Sequence, residues 1–223
     1  MMSGTHQESD SRVSGYLRAV LGKDKGSAEG LVRGMIDDGA SLAEVFDVLG
    51  AAQVEVGDLW ERGVIAVSDE HYATEVTLAC ITRASEQFRK YRRQPVGFAV
   101  LRPAEGEFHN VGLRMLSELL RNEGWETELR ISDPPLSMVR ELKNRRVNLF
   151  CFSATMPSSV QHLSETVRMI CKEPSFESAK ILVGGRAFND AGAQKALVAG
   201  GTRVDCLASN LHEALEFSRS ARS

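Results

Sequence analysis

Residues 106–112 place a histidine in a short loop between an apolar run and an amphipathic run. The stretch reads G-E-F-H-N-V-G, so His109 follows a predicted strand and Asn110 could cap the next helix. A neutral imidazole is a good transition-metal ligand, and it usually gives its other N–H to a carboxylate, for which Glu107 is the candidate. The pattern predicts a metal ligand at His109, although a loop histidine that contacts only solvent would have the same sequence.

Two later turns contain residues that a large ligand could use. Ser153 ends the apolar run of residues 149–152, and its hydroxyl could bond a buried heterocycle. Gly184 and Gly185 follow the run 181–183 and leave bare backbone for a flat ligand, because glycine has no Cβ. A turn-forming serine and a tight glycine turn are the alternatives. The order of these features at successive strand ends, after His109, favours one long ligand.

An indole and an imidazole are expected at neighbouring helix ends in the first half of the chain. Trp60 closes one predicted helix, and Glu70 and His71 open the next. The positive end of the helix dipole favours a neutral His71 that can bond or ligate. Equally, Trp60 could plug the end of a helix bundle while Glu70 accepts backbone N–H groups. Spacing alone leaves both interpretations open.

The first half of the chain has helical spacing and almost no strand signal. Apolar residues recur at three- and four-residue steps, most clearly across residues 42–59. Helix ends are predicted at Gly22, Gly39 and Gly63, and helix N-caps at Ser41 and Ser68. The pattern predicts a four-helix bundle that forms a first domain over residues 12–93.

Short apolar runs alternate with helical stretches after a basic linker at residues 89–95. Strands are predicted at residues 97–101, 126–131, 147–152, 181–183 and 204–207. Helices are predicted at residues 111–122, 136–145, 159–172, 190–199 and 211–218. This alternation predicts an α/β second domain over residues 96–220, a flavodoxin-like Rossmann domain with a five-stranded parallel sheet. Its ligand should lie where the winding reverses, between the first and third strands.

Composition and charge narrow the classes of function. The chain has 223 residues, of which 43% are hydrophobic, and a net charge of −3. It has no basic stripe, so direct nucleic-acid binding is not expected. Four scattered cysteines without a C-x-x-C pair argue against a zinc site or a disulfide framework and favour a reduced, cytoplasmic setting. The polar N-terminus and the lack of a long apolar run predict neither export nor membrane insertion.

The second domain resembles cobalamin-binding Rossmann-like domains. The segments E-F-H-N-V-G, S-A-T and G-G at residues 107–112, 153–155 and 184–185 are similar to that family's D-x-H-x-x-G, S-x-L and G-G signature. The resemblance implies that His109 replaces the nucleotide base as the lower ligand of cobalt and that Ser153 contacts the displaced dimethylbenzimidazole tail. The implied cofactor-binding residues are Glu107, His109, Gly112, Ser153, Thr155, Gly184 and Gly185.

The first domain resembles the helical cap that covers the upper face of the corrin. Trp60, followed after nine residues by Glu70 and His71, is similar to the W-x9-E-H motif of CarH-type photoreceptors. This resemblance implies that Trp60 shields an adenosyl group and that Glu70 and His71 belong to the cofactor site. It predicts a light sensor rather than an enzyme, with adenosylcobalamin bound, that forms a homo-oligomer such as a dimer and signals to a separate partner. Free-standing relatives that also hold biliverdin add that chromophore to the expected cofactors.

The chain departs from these families at three positions. Glu107 replaces an aspartate, Thr155 replaces a leucine, and Glu61 replaces the histidine that follows the tryptophan in CarH-type proteins. The leading alternative is a corrinoid subunit that carries a methyl group between partner methyltransferases, which share the same arrangement of domains. An adenosylcobalamin mutase is disfavoured because the chain is too short to include a substrate-binding barrel. A module that has lost its ligand site is the last alternative.

Overall fold

The computed structural model describes residues 3–89, 94–199 and 201–222. The chain divides into two compact units, Met1–Arg89 and Lys90–Ser223. Most of the predicted linker, residues 90–93, lies outside the described residues. Within the described ranges, no helix combines the length and the apolar character that a membrane span requires.

The first unit contains the four predicted helices. Their bounds are Ser3–Leu21 (α1), Lys25–Asp37 (α2), Leu42–Glu61 (α3) and Val67–Phe88 (α4). Large buried side chains such as Tyr16, Phe46 and Leu49 form the core between these helices. Because these apolar residues recur at helical spacing, each helix buries one face against the others. The prediction of a four-helix unit is confirmed, although α1 begins well before residue 12.

Local signals explain most of the helix ends. Gly39 and Gly63 adopt the left-handed φ values of 90° and 68° just after α2 and α3, where glycine avoids a Cβ clash. Ser41 caps α3 in a reciprocal capping box with Glu44, as predicted. The predicted cap at Ser68 is wrong, because α4 already begins at Val67. Its first turn is instead tied by the Asp69 carboxylate, which accepts the Ala66 N–H at 3.1 Å.

The second unit is the predicted α/β domain. Its strands span Phe98–Pro103 (β1), Glu126–Leu129 (β2), Leu149–Ser153 (β3), Lys180–Gly184 (β4) and Cys206–Ala208 (β5). Its helices span Val111–Asn122 (α5), Pro135–Leu142 (α6), Val160–Lys172 (α7), Ala191–Val198 (α8) and Leu211–Ser220 (α9). All strand pairs are parallel, in the order β2-β1-β3-β4-β5. The flavodoxin-like order is therefore confirmed, and β1 and β3 are neighbours at the reversal of winding.

Each face of the sheet has its own apolar core. Phe150 and Phe152 of β3 pack in a cluster with residues of α6, α7 and α8. Leu149 and Cys151 of the same strand pack in a cluster with residues of α5 and α9. Successive side chains of a strand point to opposite faces, so two-sided burial explains why β3 is apolar along nearly its whole length.

We expect Ser41→Ala to lower the free energy of unfolding by about 1 kcal/mol, because it removes the side-chain cap of α3. Ser68→Ala is the matched control, since Ser68 is exposed within α4 and the free energy should change by less than about 0.5 kcal/mol. Urea unfolding of the full chain, followed by circular dichroism, measures both effects. Equal destabilisation by the two substitutions would contradict this account of the helix starts.

Candidate cofactor-binding site

One row of small residues crosses the sheet at the carboxyl ends of its strands. Pro103 pairs with Ser153, Ser153 pairs with Gly184, and Gly184 pairs with Ala208. Ala208 belongs to the core between the sheet and helices α5 and α9, and strand alternation places the rest of the row on that same face. The structure therefore brings Ser153 and Gly184 side by side, next to the strand that leads to His109.

Gly184, the last residue of β4, and Gly185, which follows it, lie against neighbouring backbone. Gly185 has a φ of 105°, and a Cβ added to it would lie 2.3 Å from the carbonyl oxygen of Ala154. A Cβ on Gly184 would lie 3.0 Å from the carbonyl oxygen of Ala208. The tight turn by itself thus requires a glycine at position 185. The space that a Cβ would take is thus filled by a backbone carbonyl at both positions, while Gly184 remains half-buried and Gly185 exposed at the end of β4.

His109 is exposed on the loop between β1 and α5. Among the described residues, no hydrogen bond or ion pair engages its ring. Asn110 holds the N-cap position of α5, but its side chain donates to the Phe108 carbonyl at 3.0 Å and accepts from Arg114 Nε at 2.8 Å. Asn110 therefore stabilises the loop instead of capping the helix backbone, and both nitrogens of His109 are available to a ligand.

The structure uses Glu107 in a way that the sequence did not predict. Its carboxylate is only 6% exposed, and it accepts the N–H groups of Thr155 at 2.8 and 2.9 Å and of Met156 at 2.8 Å. Met156 immediately precedes the short 3-10 helix Pro157–Ser159 that leads into α7. Glu107 therefore caps this segment from a distant loop, and its charge lies at the positive end of the helix dipole. The carboxylate retains capacity for one more donor, such as the His109 ring.

Gly112 and Ser153 have no packing reason to be small or polar. A Cβ added to Gly112, in the first turn of α5, would meet no atom of the described chain within 4 Å. The half-buried Ser153 hydroxyl has no hydrogen-bond partner in the part of the chain that the structure describes. The exposed imidazole of His109 and the unbonded hydroxyl of Ser153 are groups that suit a metal-containing ligand with a heterocyclic arm. The open space beside Gly112 leaves room for such a ligand.

Arg102 is a buried charge that sequence reasoning missed, although an arginine inside the apolar run F-A-V-L-R-P was a visible signal. Its Nη1 donates to the carbonyl oxygen of Asp133 at 2.5 Å, while Nε has no partner within the described ranges. Burial lowers the pKa of this guanidinium, and the negative charges of Glu105 and Asp133 oppose that shift. Arg102 thus ties the loop after β2 to the end of β1.

Two of the three predicted residues of the helical unit, Trp60 and His71, are exposed, whereas the Glu70 side chain is only 15% exposed. Trp60, at the end of α3, is 38% exposed, so it does not plug the interior of the bundle. The Glu70 carboxylate contacts His71 Nδ1 at 2.5 Å and accepts from the Thr74 hydroxyl at 2.9 Å. These are side-chain partners and not the backbone N–H groups of the alternative interpretation. Glu70 therefore orients the exposed His71 ring and leaves its Nε2 free to bond.

A chain of hydrogen bonds extends from Glu70 into the bundle. The Thr74 hydroxyl oxygen also lies 3.2 Å from Gln53 Oε1, which shares the single Thr74 hydroxyl proton with Glu70, and Gln53 Nε2 donates to the Thr77 hydroxyl at 2.7 Å. Thr77 then bonds the buried Tyr16 hydroxyl at 3.0 Å. Satisfied polar groups of this kind hold one arrangement in a buried core. The position of Glu70, and through it that of His71, is consequently set by the bundle interior.

Comparison with known protein families identifies two segments. Residues 13–84 and residues 97–206 each match a family described as "B12 binding domain". The first segment includes Trp60, Glu70 and His71, and the second includes every predicted site residue of the α/β unit. Together the two matches take in most of the chain.

Named relatives cover about three-quarters of the chain. Dimethylamine corrinoid protein 1 of Methanosarcina mazei is 28% identical over 174 residues, which are 75% of this chain and 76% of the relative. Dimethylamine corrinoid protein 2 of Methanosarcina acetivorans is 26% identical over 169 residues, with the same coverage. Among solved structures, the monomethylamine corrinoid protein of Methanosarcina barkeri has a TM-score of 0.75 at 18% identity, and the match covers 92% of this chain and 95% of that chain. The last likeness is evidence for the fold.

These findings correct the expected function. The prediction of a CarH-type light sensor is wrong, because the relatives found along three-quarters of the chain are corrinoid proteins and not photoreceptors. The coarser expectation of a cobalamin-binding protein with a helical cap and a Rossmann-like domain is confirmed. The error has a physical origin. Trp60, Glu70 and His71 are three residues of one helical unit, whereas the similarity to corrinoid proteins extends over about three-quarters of the chain.

We expect Gly112→Ala to have opposite effects on stability and on binding. The free energy of unfolding should rise by up to about 1 kcal/mol, because alanine favours the helix and its Cβ meets no protein atom. The affinity for cobalamin should fall, because the methyl group covers backbone beside His109. Urea unfolding and absorbance titration with aquocobalamin measure the two quantities.

The control for this substitution is Gly30→Ala in α2, where an added Cβ would also have nothing within 4 Å of it in the described chain. This control should gain similar stability and keep the wild-type affinity. Unchanged cobalamin affinity in Gly112→Ala would show that Gly112 is not part of the site.

Proposed function

Because the chain belongs to the proteins that combine a helical cap with a Rossmann-like B12-binding domain, we propose that it is a corrinoid methyl carrier. In this role it holds a cobalamin and carries a methyl group between separate methyltransferases. The observation that carries the proposal is the similarity to dimethylamine corrinoid proteins over about three-quarters of both chains. When bound, the cofactor supplies a cobalt ion that accepts and releases a methyl group.

His109 is the residue that we assign to the lower face of the cobalt. Its ring is exposed, and no group of the described chain competes for either nitrogen. A neutral imidazole can ligate a metal through one nitrogen and donate the N–H of the other. Glu107 holds the loop of His109 through its bonds to Thr155 and Met156. Its carboxylate also has capacity to accept the N–H of the His109 ring.

Three residues at the ends of β3 and β4 are assigned to the nucleotide arm of the cofactor. The Ser153 hydroxyl is free to bond the displaced heterocycle, while the half-buried Gly184 and the exposed Gly185 have no side chain of their own that would obstruct the arm. Thr155 and Gly112 border the same loops and complete the proposed contacts of this unit. Ser153 and Gly184 lie in one register row on the face of α5 and α9, which favours an elongated occupant.

The proposal includes three residues of the helical unit, which would contact the cofactor or the group that it carries. Trp60 supplies a partly exposed apolar ring. His71 supplies an exposed imidazole whose Nδ1 is held by Glu70. An aromatic surface can exclude water from a reactive ligand, and an oriented imidazole can offer that ligand a hydrogen bond.

The proposal changes the expected partner and cofactor and keeps the expected location, oligomeric state and domain limits. The chain is not itself an enzyme in this scheme, because catalysis belongs to the partner methyltransferases that replace the expected signalling protein. The cytoplasmic location, the dimeric state and the domain limits 12–93 and 96–220 stay as predictions. The relatives lend no support to adenosylcobalamin or biliverdin, and neither is part of the proposal.

Methylation of the loaded protein tests the proposal. The full chain is saturated with aquocobalamin, reduced with titanium(III) citrate and offered methyl iodide, and absorption spectra follow the product. We expect one methyl group per bound cobalamin, retained by the protein on gel filtration. The methyl group should then pass to a thiol when a thiol methyltransferase is added.

Free cobalamin and the variant His162→Ala, which removes an exposed histidine of α7, are the controls for this experiment. Both should be methylated under the same conditions. A bound corrinoid that resists methylation while free cobalamin reacts would rule out the carrier function. A methylated protein that never releases its methyl group to an added methyltransferase would contradict it as well.

A further inference from the structure

Two large apolar side chains are exposed in the loop of the proposed cobalt ligand and in the loop that Glu107 joins to it. Phe108, the residue before His109, is 89% exposed, and Met156, in the loop after β3, is 43% exposed. Their loops follow β1 and β3, which are neighbouring strands at the reversal of winding. Both loops therefore begin at the edge of the sheet that holds the carboxyl ends of the strands, where ligands of such folds bind.

Glu107 holds these two loops together. Its buried carboxylate precedes Phe108 directly in the chain and accepts the backbone N–H of Met156 at 2.8 Å. The backbone of Met156 thus lies within one hydrogen bond of the residue next to Phe108. The carbonyl oxygen of Phe108 is also engaged, by Asn110 Nδ2 at 3.0 Å. The exposure of Phe108 is consequently a feature of a tethered loop.

The protein gains nothing from this exposure by itself. A phenylalanine side chain that leaves water stabilises the folded protein, and Phe108 forgoes most of that contribution in the described chain. Exposed apolar side chains that gather around a polar group are typical of a ligand site. Here the polar group is the imidazole of His109, which has no hydrogen-bond partner within the described ranges.

We propose that Phe108 and Met156 form an apolar seat, clamped by Glu107, on which the corrin ring rests when His109 ligates its cobalt. The inference rests on the proposed function, because it takes His109 as the cobalt ligand. The occupant is a corrin and not a protein segment, since Phe108 adjoins that ligand in the chain, Met156 lies in the loop joined to it by Glu107, and both residues lie within the B12-binding match. The seat contacts the ring and not the nucleotide arm.

Binding of two corrinoids to the full chain tests the seat. Cobalamin has the nucleotide arm, whereas cobinamide lacks it, so seat contacts count equally for both ligands and arm contacts count only for cobalamin. Phe108→Ala should weaken the binding of aquocobalamin and of aquocobinamide by the same factor, about 10- to 100-fold, because burial of a phenylalanine is lost. Met156→Ala should weaken both by a smaller common factor. Titrations followed by absorbance give the affinities.

The control is Val198→Ala, which truncates a 55% exposed apolar residue of α8 and should leave both affinities unchanged. Circular dichroism verifies that the variants are folded. Unchanged affinities in both Phe108→Ala and Met156→Ala would overturn the seat while leaving the carrier function intact. Loss of cobalamin binding alone, with normal cobinamide binding, would overturn it too, since the residues would then act on the arm. Failure of the wild-type chain to bind cobalamin would reject the proposed function itself.

Discussion

A buried carboxylate has to be held by polar partners, and Glu107 accepts hydrogen bonds from the backbone N–H groups of Thr155 and Met156. These bonds join the loop after β1 to the loop after β3. His109 lies in the first of these loops, and the second connects Ser153, at the end of β3, to the start of α7. Glu107 therefore fixes how the loop of His109 lies relative to the loop that leads to α7.

The parallel sheet positions the two strands whose following loops are joined by Glu107. Strand register places Ser153 beside Gly184, and the reversal of winding places β1 beside β3. The hydrogen bonds of Glu107 then determine how closely the loops after β1 and β3 approach each other. A glutamate at position 107 has one more methylene group than the aspartate of the resembled signature, which gives it the reach to bond two successive backbone N–H groups across the loops.

Periodic and local features of the fold could be predicted from the sequence. Helix α5 was predicted at its observed bounds, because Met115, Leu116 and Leu119 mark a clear apolar face. The end of β1 was placed too early, since Arg102 reads as a polar stop whereas its burial against the Asp133 carbonyl lets the strand continue to Pro103. The sequence also suggested a cap at Ser68, but α4 starts before that residue.

Long-range contacts and the type of function were beyond the sequence pattern. The partners of Glu107 lie 48 and 49 residues away, and no spacing rule connects such positions. Likewise, the exposure of Phe108 follows from the loop conformation and not from its residue type. The residues of the cofactor site were named from a signature, whereas the choice between a sensor and a carrier required similarity over a far longer stretch.

Electron paramagnetic resonance of the Co(II) form tests most directly whether His109 ligates cobalt. The full chain, loaded with cobalamin and singly reduced, should show hyperfine splitting from one axial nitrogen. Labelling the histidines of the protein with ¹⁵N should change that splitting from triplets to doublets, and His109→Ala should abolish the change. Splitting that stays as triplets in the labelled wild-type protein would show that the nucleotide base remains on the metal and would contradict the account.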